Sequence, residues 1–285
     1  VTLRLHVPAE AAVSTGLAVG AEFALPEGAA RHAQVRRVQP GDVLTLFDGT
    51  GTEARAEVLS MGRRDVQVRV LDAVDARGRE LPLAVTLAFG MPANERMDAL
   101  VEKATELGVA VLQPLVTARS VLRLDGDRAE RRRAHWQAVA VAACEQSGRI
   151  VVPEVRPVAA LAAWLAAERA SASTSPAVVR RWLLSTEAGA PPFVAEAVAG
   201  AAAGGVAGAA AASGPRVVVL SGPEGGLDVG ECEAARAAGF APVSLGPRVL
   251  RADTAPLAVL AALALSTALS TAPSYPPLSP TLSPT

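Results

Sequence analysis

Only one lysine, Lys103, occurs among the 27 basic side chains, and there are only two cysteines, Cys144 and Cys232, and three histidines. The cysteines have no C-x-x-C or Cys/His spacing, so neither a zinc site nor a disulfide framework is indicated, and no metal is expected. A phosphate-cradling P-loop must end in Gly-Lys-Ser/Thr, and a dinucleotide fold needs G-x-G-x-x-G. Neither pattern occurs, which makes nucleoside triphosphates and NAD poor candidate ligands. Strong charge of either sign is also missing. The formal net charge is −1, so no global electrostatic footprint advertises nucleic acid. The start, Val-Thr-Leu-Arg-Leu-His, lacks the basic-then-apolar pattern of an export signal. The most apolar helix, Leu257 to Leu269, is too short and too rich in Ala and Thr to cross a bilayer. A cytoplasmic location is the expectation. Arginine is plentiful instead, and it suits bidentate phosphate contacts and stacking on bases. The same excess accompanies any composition biased to Ala, Gly, Arg and Pro, so it carries little weight.

Residues 1–75 read as short strands with turn punctuation: Val43–Leu46, Glu53–Leu59 and the alternating Val66–Val70. That is a small β-barrel pattern. A polar stretch, Asp72 to Glu80, separates it from residues 76–270, where strands and helices alternate as in a parallel α/β domain. There Leu83–Phe89 reads as a strand. Glu95–Leu107 reads as a helix with Met97, Leu100, Val101, Ala104 and Leu107 on one face, started by Asn94 and ended by Gly108. Its Glu102, Lys103 and Glu106 read as a solvated face. Val109–Leu115 is the next strand and Ala160–Ala172 a helix. The Ala/Gly run 199–214 reads as a loop or insertion, and the Pro/Ser/Thr-rich tail 271–285 as disordered.

Two glycine-rich loops follow apolar runs late in the chain. Val217–Leu220 is a continuous β-branched and apolar run, the pattern of a strand buried on both faces. It leads into Gly222-Pro-Glu-Gly-Gly226, after which Asp228 can cap a helix. A second short strand ends at Leu245 and runs into Gly246-Pro-Arg-Val-Leu-Arg251. In open α/β sheets, ligands sit beyond the carboxyl ends of strands.

The loop pair, Gly222–Gly226 and Leu245-Gly-Pro-Arg-Val-Leu-Arg-Ala-Asp-Thr-Ala255, resembles the cofactor-binding motifs of the SPOUT-class methyltransferases. The specific likeness is to the RsmE-type 16S ribosomal RNA (uracil-N3)-methyltransferases. Further segments agree with that family in order: His32–Asp42, Leu46–Gly49, Glu95-Arg-Met-Asp98 to Glu106-Leu-Gly-Val109, and Ala142–Arg149 followed by Pro153-Glu154. The resemblance spans residues 1–270. It implies a SPOUT-type parallel sheet with a C-terminal trefoil knot and an N-terminal PUA-like β-barrel. It also implies S-adenosyl-L-methionine as methyl donor, 16S rRNA in the 30S subunit as partner, and a homodimer.

Carried over onto this chain, the resemblance implies that Leu184, Gly222, Pro223, Gly225, Gly226, Leu245, Gly246, Val249, Leu250 and Thr254 bind the cofactor. Arg248, Arg251 and Glu224 are the implied catalytic residues, with Glu224 open to a second reading as a loop-ordering acceptor. Arg4, Arg31, His32, Arg36 and Arg37 are implied RNA contacts of the PUA-like domain, although a short amphipathic helix with exposed arginines gives the same sequence around His32. Glu145, Gln146 and Arg149 are implied to support the active site or a dimer interface. The family favours Thr-Glu-Thr where this chain has Ala252-Asp-Thr254, which leaves any role of Asp253 open. A ribose 2′-O-methyltransferase of the same fold and a catalytically idle RNA-binding protein are the alternative readings.

Overall fold

The computed structural model describes residues 2–9, 17–63, 65–172, 179–193 and 216–270. The Ala/Gly run 199–214 and the tail 271–285 lie outside the described residues.

The N-terminal part is a five-stranded sheet of β1 (Arg4–His6), β2 (Glu22–Ala24), β3 (Val43–Phe47), β4 (Thr52–Met61) and β5 (Val66–Asp75), in the order β1-β3-β4-β5-β2. The pairing is antiparallel except between β1 and β3. Alternation along the strands sends Leu44 and Leu46, Ala54, Ala56 and Val58, and Val66, Val68 and Val70 into one core. Helix α1 (Glu27–Val35) closes that core with Ala29, Ala30 and Ala33. β5 runs five residues past the alternating segment that marks it in the sequence. The polar extension stays in the ladder because β4 is equally long and Arg55 Nε donates to Asp72 at 2.7 Å across the pair.

The larger sheet contains β6 (Ala84–Gly90), β7 (Val111–Val116), β8 (Glu154–Val155), β9 (Ala159–Ala160), β10 (Val179–Leu184), β11 (Arg216–Ser221) and β12 (Ala241–Val243). Its order is β12-β10-β11-β6-β7-β8, with β9 also on β7, and every pair is parallel. Helices α2 (Asn94–Glu106), α3 (Gly126–Ser147) and α6 (Thr254–Ser270) cover one face, where Val85, Leu87, Phe89, Val217 and Val219 are buried. Helices α4 (Leu161–Ala172) and α5 (Val229–Ala237) cover the other, over Ala88, Leu115, Val218 and Leu220. Burial on both faces explains why β11 reads as an unbroken apolar run. β12 stops at Val243, two residues before the Leu245 expected from sequence. Ser244 leaves that ladder to pair with the segment after β10: its amide donates to Pro191 O and its carbonyl accepts from Phe193 N, both at 2.8 Å.

A polar seam joins the two sheets. Arg149, only 9 % exposed, donates through Nε and Nη2 to Glu80 at 2.9 and 2.7 Å, and through Nη1 to the carbonyls of Thr105 and Val109. Glu80 also accepts the amides of Ile150 and Val151. Glu145 accepts from the His6 amide at 3.0 Å and faces His32 Nδ1 at 3.2 Å. Glu145 and Arg149 thus lie between the sheets, because the Arg149 fork finds its carboxylate and carbonyl acceptors there.

Arg4 belongs to the same seam. Its guanidinium pairs with Glu53, donates to Arg149 O at 3.0 Å and lies 4.8 Å above the Phe47 ring. Burial raises the Glu53 carboxyl pKa, but hydrogen bonds from Arg79 and Arg4 outweigh it and hold the group below the usual carboxylate range.

Candidate active site at the carboxyl ends of the parallel strands

β6, β7, β10, β11 and β12 all point their carboxyl ends at one cavity of about 590 Å³. The loop after β11 forms one wall. Its tight return is made by Gly226, which sits at φ +68°, a conformation L side chains rarely adopt. Gly225 is needed for a different reason, since a Cβ there would come within 3.0 Å of Arg119 Cβ. The loop ends in the helix signal read from sequence: the Asp228 side chain accepts the Glu231 amide at 2.7 Å, and Glu231 returns a bond to the Asp228 amide at 2.9 Å.

Four long-range contacts fix this loop and the helix turn that follows it. Glu224 Oε1 accepts the Ala93 amide at 3.1 Å and faces Arg96 Nη1 at 3.3 Å. Arg119 Nη1 donates to Gly225 O at 2.8 Å, and the Ala118 amide donates to Glu231 Oε1 at 2.7 Å. The turn that presents Ala118 and Arg119 is held by buried Thr117 and Ser120, whose hydroxyls bond each other at 2.9 Å. α2 begins at Asn94 with Ala93 at its N-cap, where Ala93 has no capping side chain of its own. The carboxylate of Glu224 accepts the amide of that N-cap residue from across the cavity.

The segment after β12 forms the opposite wall with Leu245, Gly246, Arg248, Val249, Leu250 and Arg251. Leu184, at the end of β10, and Gly222, Pro223, Glu224, Gly225 and Gly226 line the cavity too. Thr254 does not. It opens α6 as an exposed residue whose amide bonds Arg251 O at 3.0 Å. Sequence reasoning missed Arg96, Arg119, Ser221 and Cys232, all on the wall. Arg119 follows a parallel strand, so the strand-end rule could have found it.

The charges on the wall do not cancel. Glu224 is paired with Arg96 and Glu187 with Arg236, while Arg119 meets only a neutral carbonyl. Among the described residues Arg248 and Arg251 have no carboxylate partner. The mouth is cationic although the chain as a whole carries −1. Arg31, Arg36 and Arg37 are exposed on and after α1, and His32 is turned toward Glu145.

Comparison with known proteins agrees with this architecture. A model of the RNA methyltransferase domain matches residues 79–264, and one of the RNA methyltransferase PUA domain matches residues 25–71. The chain is 31% identical over 233 residues to ribosomal RNA small subunit methyltransferase E of Bacillus subtilis, covering 82% of this chain and 85% of that protein. It is 34% identical over 240 residues to its Mycobacterium tuberculosis counterpart, covering 82% of each. The crystal structure of the Neisseria gonorrhoeae enzyme of that name, bound to S-adenosyl methionine, superposes with a TM-score of 0.74 at 32% identity over 92% of this chain and 97% of that one. By its paired loops, its PUA and methyltransferase domains and these relatives, the chain belongs to the ribosomal RNA small subunit methyltransferase E family.

Proposed function

We propose that this protein methylates N3 of a specific uridine in 16S rRNA of the 30S subunit, with S-adenosyl-L-methionine as donor. The observation that carries the reading is the cavity itself, where a glycine loop faces a segment bearing two unpaired arginines at the ends of parallel strands. The residues present fit the donor. Glycine backbone suits close approach to a nucleoside, Leu184, Leu245 and Leu250 offer apolar surface, and Ser221 offers an unpartnered hydroxyl. When bound, S-adenosyl-L-methionine supplies an electrophilic methyl on a sulfonium.

This chain's residues do the rest. Loss of the imide proton leaves negative charge on the uracil ring, which the guanidinium groups of Arg248 and Arg251 stabilise. Neither arginine serves as the base, because guanidinium keeps its proton near neutral pH. Glu224 is assigned to holding the glycine loop against α2, since its Oε1 is engaged by Ala93 and Arg96. Residues 1–75 form the RNA-gripping unit through Arg31, Arg36 and Arg37, and residues 76–270 the methyltransferase unit.

A trefoil-knotted crossing of the C-terminal segment belongs to this reading, supported by the pairing of Ser244 with residues 191–193. So do a cytoplasmic location and a homodimer. Exposed apolar Val249 at the site and exposed Leu265 on α6 support the dimer, which sedimentation analysis tests.

The deciding experiment incubates the protein and methyl-labelled donor with 30S subunits from a strain lacking the modification. Label on N3 of one 16S uridine is expected. No transfer to 16S rRNA rejects the reading, and label on a ribose 2′-oxygen replaces it with the alternative chemistry of the same fold.

A further inference from the structure

The apolar run of β11 is broken at its last residue by a serine. Ser221 is 3 % exposed, lies opposite Phe89 of β6 in the ladder, and lines the cavity. Its place in the strand alternation puts it on the same face as Val217 and Val219, where another aliphatic side chain would continue the core. Among the described residues its hydroxyl has no hydrogen-bond partner. A buried hydroxyl without a partner is destabilising, and it persists where a bound molecule completes it. Other buried unpartnered side-chain atoms exist among the described residues, on Arg4, Asp98, Trp164, Arg181 and Asp253, but none of those residues lines the cavity.

Depth decides which ligand Ser221 serves. Arg119, Arg248, Val249 and Arg251 are exposed at the mouth, where a base carried on an RNA chain must enter. Ser221 and Leu183 are buried on the floor, which only a small molecule reaches. A hydroxyl both donates and accepts, so it can be completed by the ribose, the adenine edge or the carboxylate and ammonium of the donor's amino acid tail. We propose that Ser221 is a donor-binding residue whose hydroxyl hydrogen-bonds S-adenosyl-L-methionine, an inference that rests on the donor assigned above.

The test compares the full-length protein with Ser221→Ala. Calorimetric titration with S-adenosyl-L-methionine and with S-adenosylhomocysteine should show Kd raised roughly three- to tenfold for both, the size of one neutral hydrogen bond. The melting temperature of the ligand-free variant should equal or exceed that of the parent, because no internal bond is lost. The donor KM should rise while kcat at saturating donor is retained. Unchanged Kd for both ligands overturns the proposal, as does a fall in the ligand-free melting temperature, which would mean the hydroxyl serves the fold. If the parent protein itself binds neither ligand, the donor assignment fails, and this inference fails with it.

Discussion

Glu224 and Ala93, 131 positions apart in sequence, meet across the cavity, where the carboxylate accepts the amide that starts α2 at 3.1 Å. The contact ties the glycine loop to the helix and separates two possible roles for the acid. Glutamine keeps the acceptor oxygen and alanine removes it. Glu224→Gln should retain turnover within a few-fold, while Glu224→Ala should lose about 1 kcal/mol of stability, the usual worth of an N-terminal acceptor, and raise the donor KM. Steady-state kinetics and chemical denaturation of both variants check this. A collapse of kcat in both variants, with the glutamine variant as stable as the parent, would make Glu224 a proton acceptor.

Arg248 lines the cavity without a carboxylate partner, so its removal leaves no orphaned charge in the protein. Arg248→Ala should lower kcat on 30S subunits by about two orders of magnitude, the scale of one lost charge-stabilising donor. The donor Kd should stay within a few-fold. Loss confined to donor affinity would remove its catalytic role.

At the seam, Arg149 contacts Glu80 and two backbone carbonyls while almost wholly buried. Arg149→Ala strands the Glu80 carboxylate and should cost about 3–5 kcal/mol in urea denaturation. Arg149→Lys should not restore it, since an ammonium cannot reproduce the planar fork. A lysine variant of full stability would refute the geometric account.

Burial raises both thiols, Cys144 to about 12, while Cys232 is raised and lines the cavity. A raised pKa lowers the thiolate fraction at neutral pH, so alkylation of Cys232 should be slow and rise about tenfold per pH unit until its pKa is reached. Bound donor should slow it further, and Cys144 should stay unlabelled in the native protein. Peptide mass mapping after iodoacetamide at two pH values reads all three.

What was legible in the sequence is what is local. The β11 run, the glycine turn and the Asp228 cap each depend on a few consecutive residues, and each forms where the pattern puts it. Leu184 on the wall was legible only through family likeness, because nothing near it marks a ligand. The seam positions of Arg149 and Arg4 were not legible for one shared reason. An arginine inside a seam looks like any other arginine until its distant acceptors, Glu80 and Glu53, are brought beside it. Thr254 lies off the wall for a different reason, since the helix start leaves it exposed although its neighbours Ala252 and Ala255 line the cavity.

The seam also acts as a caliper. Arg149, Glu80 and Glu145, with the Val152 amide bonded to Gly49 O at 3.0 Å, fasten the sheet that carries α1 to the sheet that carries the cavity. On the RNA contacts proposed at Arg31 and Arg36, the target would be offered to the methyl donor at a set span. The choice among chemically identical uridines then becomes a matter of reach, which breaking the Arg149–Glu80 seam would shift and a changed pocket would not.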